Sequence, residues 1–380
     1  MPKKINILVL GRQDSHTSYV IRSLRLKKLL VSICRTYFGI DRNIPQIEFF
    51  GNNYPERRWC VPMRKFMKIY VLYLSFAYLS SILFTFLYLR IPVDLIIAIG
   101  PFNGFLASLL HKKFIYYSED KIVSGIKFGI VNNLSAYFDN ISRRNCSMMW
   151  VVSPDMLVET QSDSHLKGIT YFMPMLMMKL PYVKNKKDKI ISMVFVGNLT
   201  KVQGCDLLLD VLFQLRKENL YMHLNIIGRG EYEDEMRKYI KNHNLDKQVT
   251  FHGFISDEQM LMREISKSDI GLALYNPLDY PNLAYGQSNK IMHYCACGLP
   301  SIVTGSVTNT PYLARYIMEY SAGFVCNYSS IDVRDVIIRL VHEARLYTKM
   351  RGNTQKIVNM FSYNELKSKQ LTLIRSLVKS

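Results

Sequence analysis

The chain is short of acid. Its 380 residues carry 49 lysines and arginines against 30 aspartates and glutamates, a formal net charge of +19. Such an excess favours an anionic partner: a nucleic acid, an acidic membrane surface or a phosphorylated ligand. No Asp-x-Asp pair occurs anywhere, so that short carboxylate clamp for a divalent ion is missing. The seven cysteines (Cys34, Cys60, Cys146, Cys205, Cys295, Cys297 and Cys326) are scattered without a C-x-x-C pair, which excludes the usual zinc and dithiol spacings. They read as small buried thiols of a reducing compartment. A secretory start is missing too. Lys3 and Lys4 precede only Ile5 to Leu10 before Arg12 and Asp14, too short an apolar run for a signal peptide. A cytoplasmic protein is expected. No helix-turn-helix, RNA-recognition signature or aromatic-interleaved basic patch supports a nucleic acid as the anion.

What is present describes a globular α/β protein. Hydrophobic residues make up 49% and charged residues 21%, and the length suits two domains of ordinary size. Ile5 to Gly11 is a short buried strand ending in glycine, followed by a basic helix over Tyr19 to Leu30. Val93 to Ile99 is a dense apolar strand, Phe102 to Leu110 a helix, and Phe114 to Tyr117 and Met148 to Val152 two more strands. Strands alternating with helices imply a mostly parallel sheet covered on both faces. Around Pro174 and Pro181 the pattern breaks, and Lys184 to Lys189 reads as a charged linker. A second series then begins, with strands at Ile191 to Val196, His223 to Ile227, Val249 to Phe251, Ile270 to Leu274 and Ser301 to Val303. The expected division is an N-terminal domain over 1–180, a C-terminal domain over 190–360, and a last helix in 361–380 that returns to the first domain. Two doubly wound domains would then face a cleft, where open α/β sheets bind ligands.

Ile69 to Leu89 contains no charge and is flanked by Arg64, Lys65, Lys68 and Arg90. It is long enough to span a bilayer, for which about 20 apolar residues suffice. A span would put the first strand and Val93 to Ile99 on opposite sides of the membrane, although both should join one sheet. Two readings stay open: a helix or two buried against the sheet, or an interfacial element held on an anionic leaflet with help from Arg57 and Arg58.

The chemistry-bearing blocks lie in the second half. Val194-Phe195-Val196-Gly197-Asn198 through Lys201 and Gly204 runs strand, glycine-bounded loop, helix, a turn whose amides can approach a phosphate. Ile227-Gly228-Arg229-Gly230 repeats the device; Phe251-His252-Gly253 and Ser268-Asp269 follow. Last comes Ser288-Asn289-Lys290 through His293, Tyr294, Gly298 and Pro300, a helix start bearing a lysine and a helix stopped by glycine. In this order and spacing the blocks resemble the C-terminal donor-binding domain of GT-B glycosyltransferases, especially the large retaining family four, over about residues 190 to 330.

The resemblance implies a GT-B fold, with an acceptor-binding domain over 1–180 and a nucleotide-sugar-binding domain over 190–360, and a nucleotide-diphosphate sugar as donor, with no further cofactor. It places Gly197, Asn198, Lys201, Gly228, Arg229, Ser288, Asn289, Lys290 and His293 around that donor. Several positions depart from the family. Its phosphate-binding arginine and lysine fall on Asn198 and Gln203, and its two glutamates on Tyr285 and His293, so His293 would hold the donor ribose with one nitrogen. Lys290 matches a lysine found in a subset of such enzymes and is the best phosphate partner; its bland alternative is a solvated helix-start lysine. For Lys201 and Arg229 the solvated reading is the stronger. Near the N-terminus the family's glycine pair is replaced by Gly11 to His16.

Glycosyl transfer must neutralise a diphosphate leaving group, present the anomeric carbon to a hydroxyl and keep water out. Lysine, arginine and helix dipoles do the first without a metal, in keeping with the missing Asp-x-Asp. On the acceptor side Glu119 and Asp120 follow the Tyr116-Tyr117 strand, where a base is useful, and His16, with Asp14, follows the first strand. Solvated loop carboxylates are the alternative. The expected activity is a metal-independent, retaining hexosyl transfer to a polyprenyl-diphosphate-linked glycan in surface polysaccharide or O-antigen assembly, on the inner face of the cell membrane. A galactofuranosyltransferase-type enzyme and a non-catalytic GT-B scaffold remain as alternatives.

Overall fold

The computed structural model describes residues 5–12, 30–38, 45–51, 54–60, 93–122, 129–175, 177, 192–280, 282–306 and 309–379. The chain divides into two compact units, Met1–Met175 with Leu366–Ser380, and Leu176–Glu365.

The first unit is built on an eight-stranded sheet of order β4-β3-β2-β1-β5-β6-β7-β8. Its strands are β1 (Asn6–Arg12), β2 (Leu30–Phe38), β3 (Pro45–Gly51), β4 (Tyr54–Cys60), β5 (Leu95–Ile99), β6 (Phe114–Ser118), β7 (Met148–Val151) and β8 (Thr170–Phe172). Every residue of β5, β6 and β7 is buried. Such continuous apolar strands need cover on both faces. Helices α1 (Pro101–Leu109) and α2 (Gly129–Asn145) pack on each other, and α1 also lies against β5 and β6. A short α3 (Pro154–Thr160) is capped by Ser153, whose Oγ accepts from the Met156 amide.

The basic helix expected over 19–30 ends differently: Leu30 opens β2, while 13–29 lie outside the described residues. Val31, Ile33, Thr36, Tyr37 and Phe38 are strand formers, and pairing in register with β1 realises that preference. The sheet also carries an unforeseen antiparallel edge, β2 with β3 and β3 with β4. Only Asn52 and Asn53 separate β3 from β4 in sequence, and so short a link joins antiparallel neighbours, never parallel ones. His16 and the 69–89 run lie outside the described residues. Among the described residues no helix is long and apolar enough to cross a membrane.

The second unit has a six-stranded sheet of order β11-β10-β9-β12-β13-β14, parallel at every pairing. The strands are β9 (Ser192–Val196), β10 (His223–Ile227), β11 (Val249–Gly253), β12 (Ile270–Leu274), β13 (Ser301–Thr304) and β14 (Gly323–Cys326). Between and after them run α4 (Cys205–Lys217), α5 (Glu233–Asn242), α6 (Glu258–Ile265), α7 (Asn289–Ala296), α8 (Tyr312–Glu319), α9 (Ser330–His342) and α10 (Ala344–Met360). Phe195, Leu208, Leu212, Leu224, Leu272, Ile302 and Ile337 share its core. The chain winds outward from β9 to β11 and restarts at β12 on the other side of β9. The carboxyl ends of β9 and β12 therefore flank a topological switch point, the usual ligand position of an open parallel sheet.

The last helix, α11 (Tyr363–Lys379), contributes Ile374 and Leu377 to buried positions. Lys113 Nζ donates to the Leu377 carbonyl at 3.3 Å, and Lys369 Nζ to the Phe172 carbonyl at 3.0 Å.

Candidate functional site

Helix α7 is held onto the switch point by one buried side chain. The Tyr294 hydroxyl donates to the Leu272 carbonyl at 3.0 Å and accepts from the Val196 amide at 3.1 Å, so it bridges β12 and β9. A second tie fixes the strands: Asp269 Oδ2 accepts from both the Ser192 amide (3.0 Å) and the Ser192 hydroxyl (2.8 Å). At the start of α7, Ser288 Oγ accepts from the Ile291 amide and shares a 2.6 Å hydrogen bond with the Tyr275 hydroxyl. The helix start is thus tied to the residue that follows β12.

These constraints aim Lys290 inward, against the carboxyl end of β9. The residue is 6% exposed, which overturns the solvated helix-start alternative. Its Nζ lies 4.1 Å from the Phe195 ring centroid and 4.7 Å from that of Tyr275. It is buried with no hydrogen-bond partner among the described residues. Burial pushes its pKa down from 10.5 to about 7, since desolvation penalises the charged form.

The glycine loops form the other wall. Gly197 has φ +140, and a Cβ there would meet Lys290 Cε at 2.8 Å. Gly228 has φ +146, and a Cβ there would fall 1.9 Å from the Gly197 carbonyl oxygen. Only glycine permits that backbone and that approach. Leu199 N–H donates to the Arg229 carbonyl at 3.0 Å, which locks the two loops together. Gly197, Gly228, Ser288 and Lys290 are therefore brought together.

Asn198, Lys201 and Arg229 are exposed on the same loops. Lys201 Nζ lies 5.4 Å over the Tyr232 ring, and the Arg229 side chain runs beside Gly253. Asn289 and His293 occupy the half-buried stripe of α7. Among the described residues the buried His293 Nδ1 has no hydrogen-bond partner, and burial lowers the imidazole to about 4, so it is neutral at physiological pH. In the first unit, Glu119 is half-buried and Asp120 exposed just after β6. Behind them the Tyr116 hydroxyl donates to Asp139 Oδ1 at 2.5 Å, and Asp139 pairs with Arg143 at 2.6 Å. The sequence reading missed Phe195, Tyr275 and Tyr294. Tyr275 had a signal, its place directly after a strand at the ligand end of the sheet; the inward turn of Lys290 onto two rings had none.

Residues 191–343 match the family described as glycosyl transferases group 1. No curated protein matches the sequence. Among solved structures, sucrose-phosphate synthase from Thermosynechococcus elongatus is similar with a TM-score of 0.71 at 14% identity, over 98% of this chain and 99% of that one. Anabaena HepE in complex with UDP-glucose gives 0.69 at 14% identity, over 98% and 100%. A glycosyltransferase from Rickettsia africae gives 0.66 at 14% identity, over the whole of both chains. The fold is GT-B, with two Rossmann-like units. The matched segment contains all the second-unit residues described above, from Gly197 to His293. Among its described residues and those of the first unit, no group of His, Cys, Asp and Glu side chains is arranged to hold a metal ion.

Proposed function

We propose that the chain is a glycosyltransferase that takes a sugar from a nucleotide-diphosphate sugar, with Lys290 as the partner of the diphosphate. The observation that carries this reading is the buried Lys290 amine, without a hydrogen-bond partner among the described residues, beside the Gly197–Gly228 turn in the segment that matches glycosyl transferases group 1. An anion arriving there would meet that lysine, the backbone of the two glycine loops and the start of α7. Such preorganised charge acts on the leaving group at the moment the glycosidic bond breaks. In this scheme the neutral His293 holds a donor hydroxyl with one nitrogen, while Lys201 and Arg229 reach the phosphates from the loop rims. Glu119, Asp120 and His16 serve the acceptor as base or hydroxyl-binding groups, and the transfer is metal-independent and retaining.

For the acceptor we propose a lipid-linked glycan met at an anionic membrane surface, as in surface polysaccharide assembly. The support is the +19 charge together with the apolar run from Ile69 to Leu89 between basic flanks. The UDP-glucose bound by HepE makes a uridine nucleotide the first donor to try. A non-catalytic scaffold is the second reading, favoured by Tyr285 and His293 at the family's glutamate positions.

The test is thermal stabilisation by a panel of nucleotides and nucleotide sugars, in wild type and in Lys290→Ala. Selective stabilisation by one diphosphate family, weakened in the variant, supports the donor site. No shift with any nucleotide refutes the Lys290 assignment and favours the scaffold.

A further inference from the structure

A buried ammonium has three hydrogens to satisfy, and Lys290 is offered two ring faces instead. Among the described residues its surroundings hold no compensating anion. From the start of α4 comes Cys205, whose thiol burial pushes up to about 11, so it stays neutral at physiological pH. From the end of β12 comes Tyr275, its hydroxyl raised by burial and engaged with Ser288. On α7 itself are His293, a neutral imidazole, and Tyr294, whose buried hydroxyl is also raised. The loop after β9 supplies uncharged Asn198 and Thr200, and Lys201 rests over Tyr232. Arg229, on the adjoining loop, adds positive charge.

We propose that Phe195 and Tyr275 are positioning residues that keep Lys290 dry, and that a nucleoside diphosphate enters the slot together with a proton taken up from solvent. The inference rests on the donor-site reading above and adds its proton linkage. The balance is simple. A neutral amine, a proton and a diphosphate oxygen become an ammonium–phosphate pair; no covalent bond to phosphorus or sugar changes, and the proton returns to solvent when the diphosphate leaves. The pKa of about 7 in the ligand-free protein fits this picture, since an adjacent diphosphate restores the charged form. An exposed lysine, already charged, would bind the same anion without proton uptake.

Isothermal titration calorimetry with UDP, GDP and ADP at pH 8, in buffers of different ionisation enthalpy, counts the protons. At that pH the terminal phosphate, with a second pKa near ~6, is already ionised and contributes little. Wild type is expected to take up about 0.9 proton per bound diphosphate, from its free-state pKa of about 7. Lys290→Arg, charged throughout, is expected to take up almost none, and Tyr275→Leu, which opens the slot to water, less than half the wild-type count. Binding with no proton uptake by wild type overturns the inference whatever the variants do. Equal counts in wild type and Lys290→Arg overturn it as well. Failure of all three diphosphates to bind wild type instead refutes the donor-site reading on which the linkage depends.

Discussion

Replacing Lys290 by methionine should stabilise the ligand-free protein while removing its response to nucleotide. Lysine is ordinarily charged up to pH 10.5; here burial lowers that to about 7. The unfolded chain therefore binds the proton more tightly than the folded one, and folding is penalised. At pH 7 the gap corresponds to about 4 kcal/mol at 1.36 kcal/mol per pH unit. Methionine, similar in length and uncharged, escapes this cost. For a unit of this size that raises the melting temperature by roughly 8–16 °C. The penalty is fully present below the folded pKa and is lost as pH rises toward 10.5, so the advantage of the variant should shrink by more than half by about pH 9.5. Thermal unfolding followed by circular dichroism at both pH values measures it. A variant no more stable than wild type at pH 7, or an advantage independent of pH, would refute the claim that Lys290 is held desolvated.

Three other outcomes follow from the same geometry. Tyr294→Phe removes two hydrogen bonds and strands the buried Val196 amide. It should cost about 2–4 kcal/mol in urea unfolding, and a loss under about 1 kcal/mol would mean that α7 is anchored by other contacts. Gly228→Ala puts a Cβ 1.9 Å from the Gly197 carbonyl oxygen at φ +146; the two loops must separate, so nucleotide stabilisation should disappear in the thermal-shift assay. Ser288→Ala removes the cap of α7 and the partner of the Tyr275 hydroxyl. It should lower stability by about 1 kcal/mol and raise the donor KM several-fold, whereas an unchanged KM would separate the cap from the site.

Much of the second unit was legible because its signals are local. The apolar runs at His223–Ile227 and Ile270–Leu274 coincide with β10 and β12 residue for residue. The strand–glycine–helix turn at Gly197 needs a few contiguous residues to declare itself. The first unit was harder to read. The helix expected over Tyr19 to Leu30 meets Leu30–Phe38 only at Leu30; the rest, with a single arginine among small and apolar residues and no strict alternation, did not declare itself, and only pairing with β1 decides. The short β8 and β14 carried too little periodicity to be seen, and take their conformation from the sheet edges they complete.

The sequence by itself determined that the chain is an α/β protein of two parallel-rich parts, that it carries a large excess of positive charge, and which blocks form the glycine loops at the switch point. These properties depend on composition and on patterns a few residues long. Tertiary structure decided the state of the residue that matters most. Whether Lys290 sits in water or between two rings is written in no local pattern. The answer comes from Tyr294 fastening α7 across β9 and β12, and from the glycine loops closing over what remains. Burial is a property of the whole packed unit, and with burial comes the charge state on which the proposed chemistry turns.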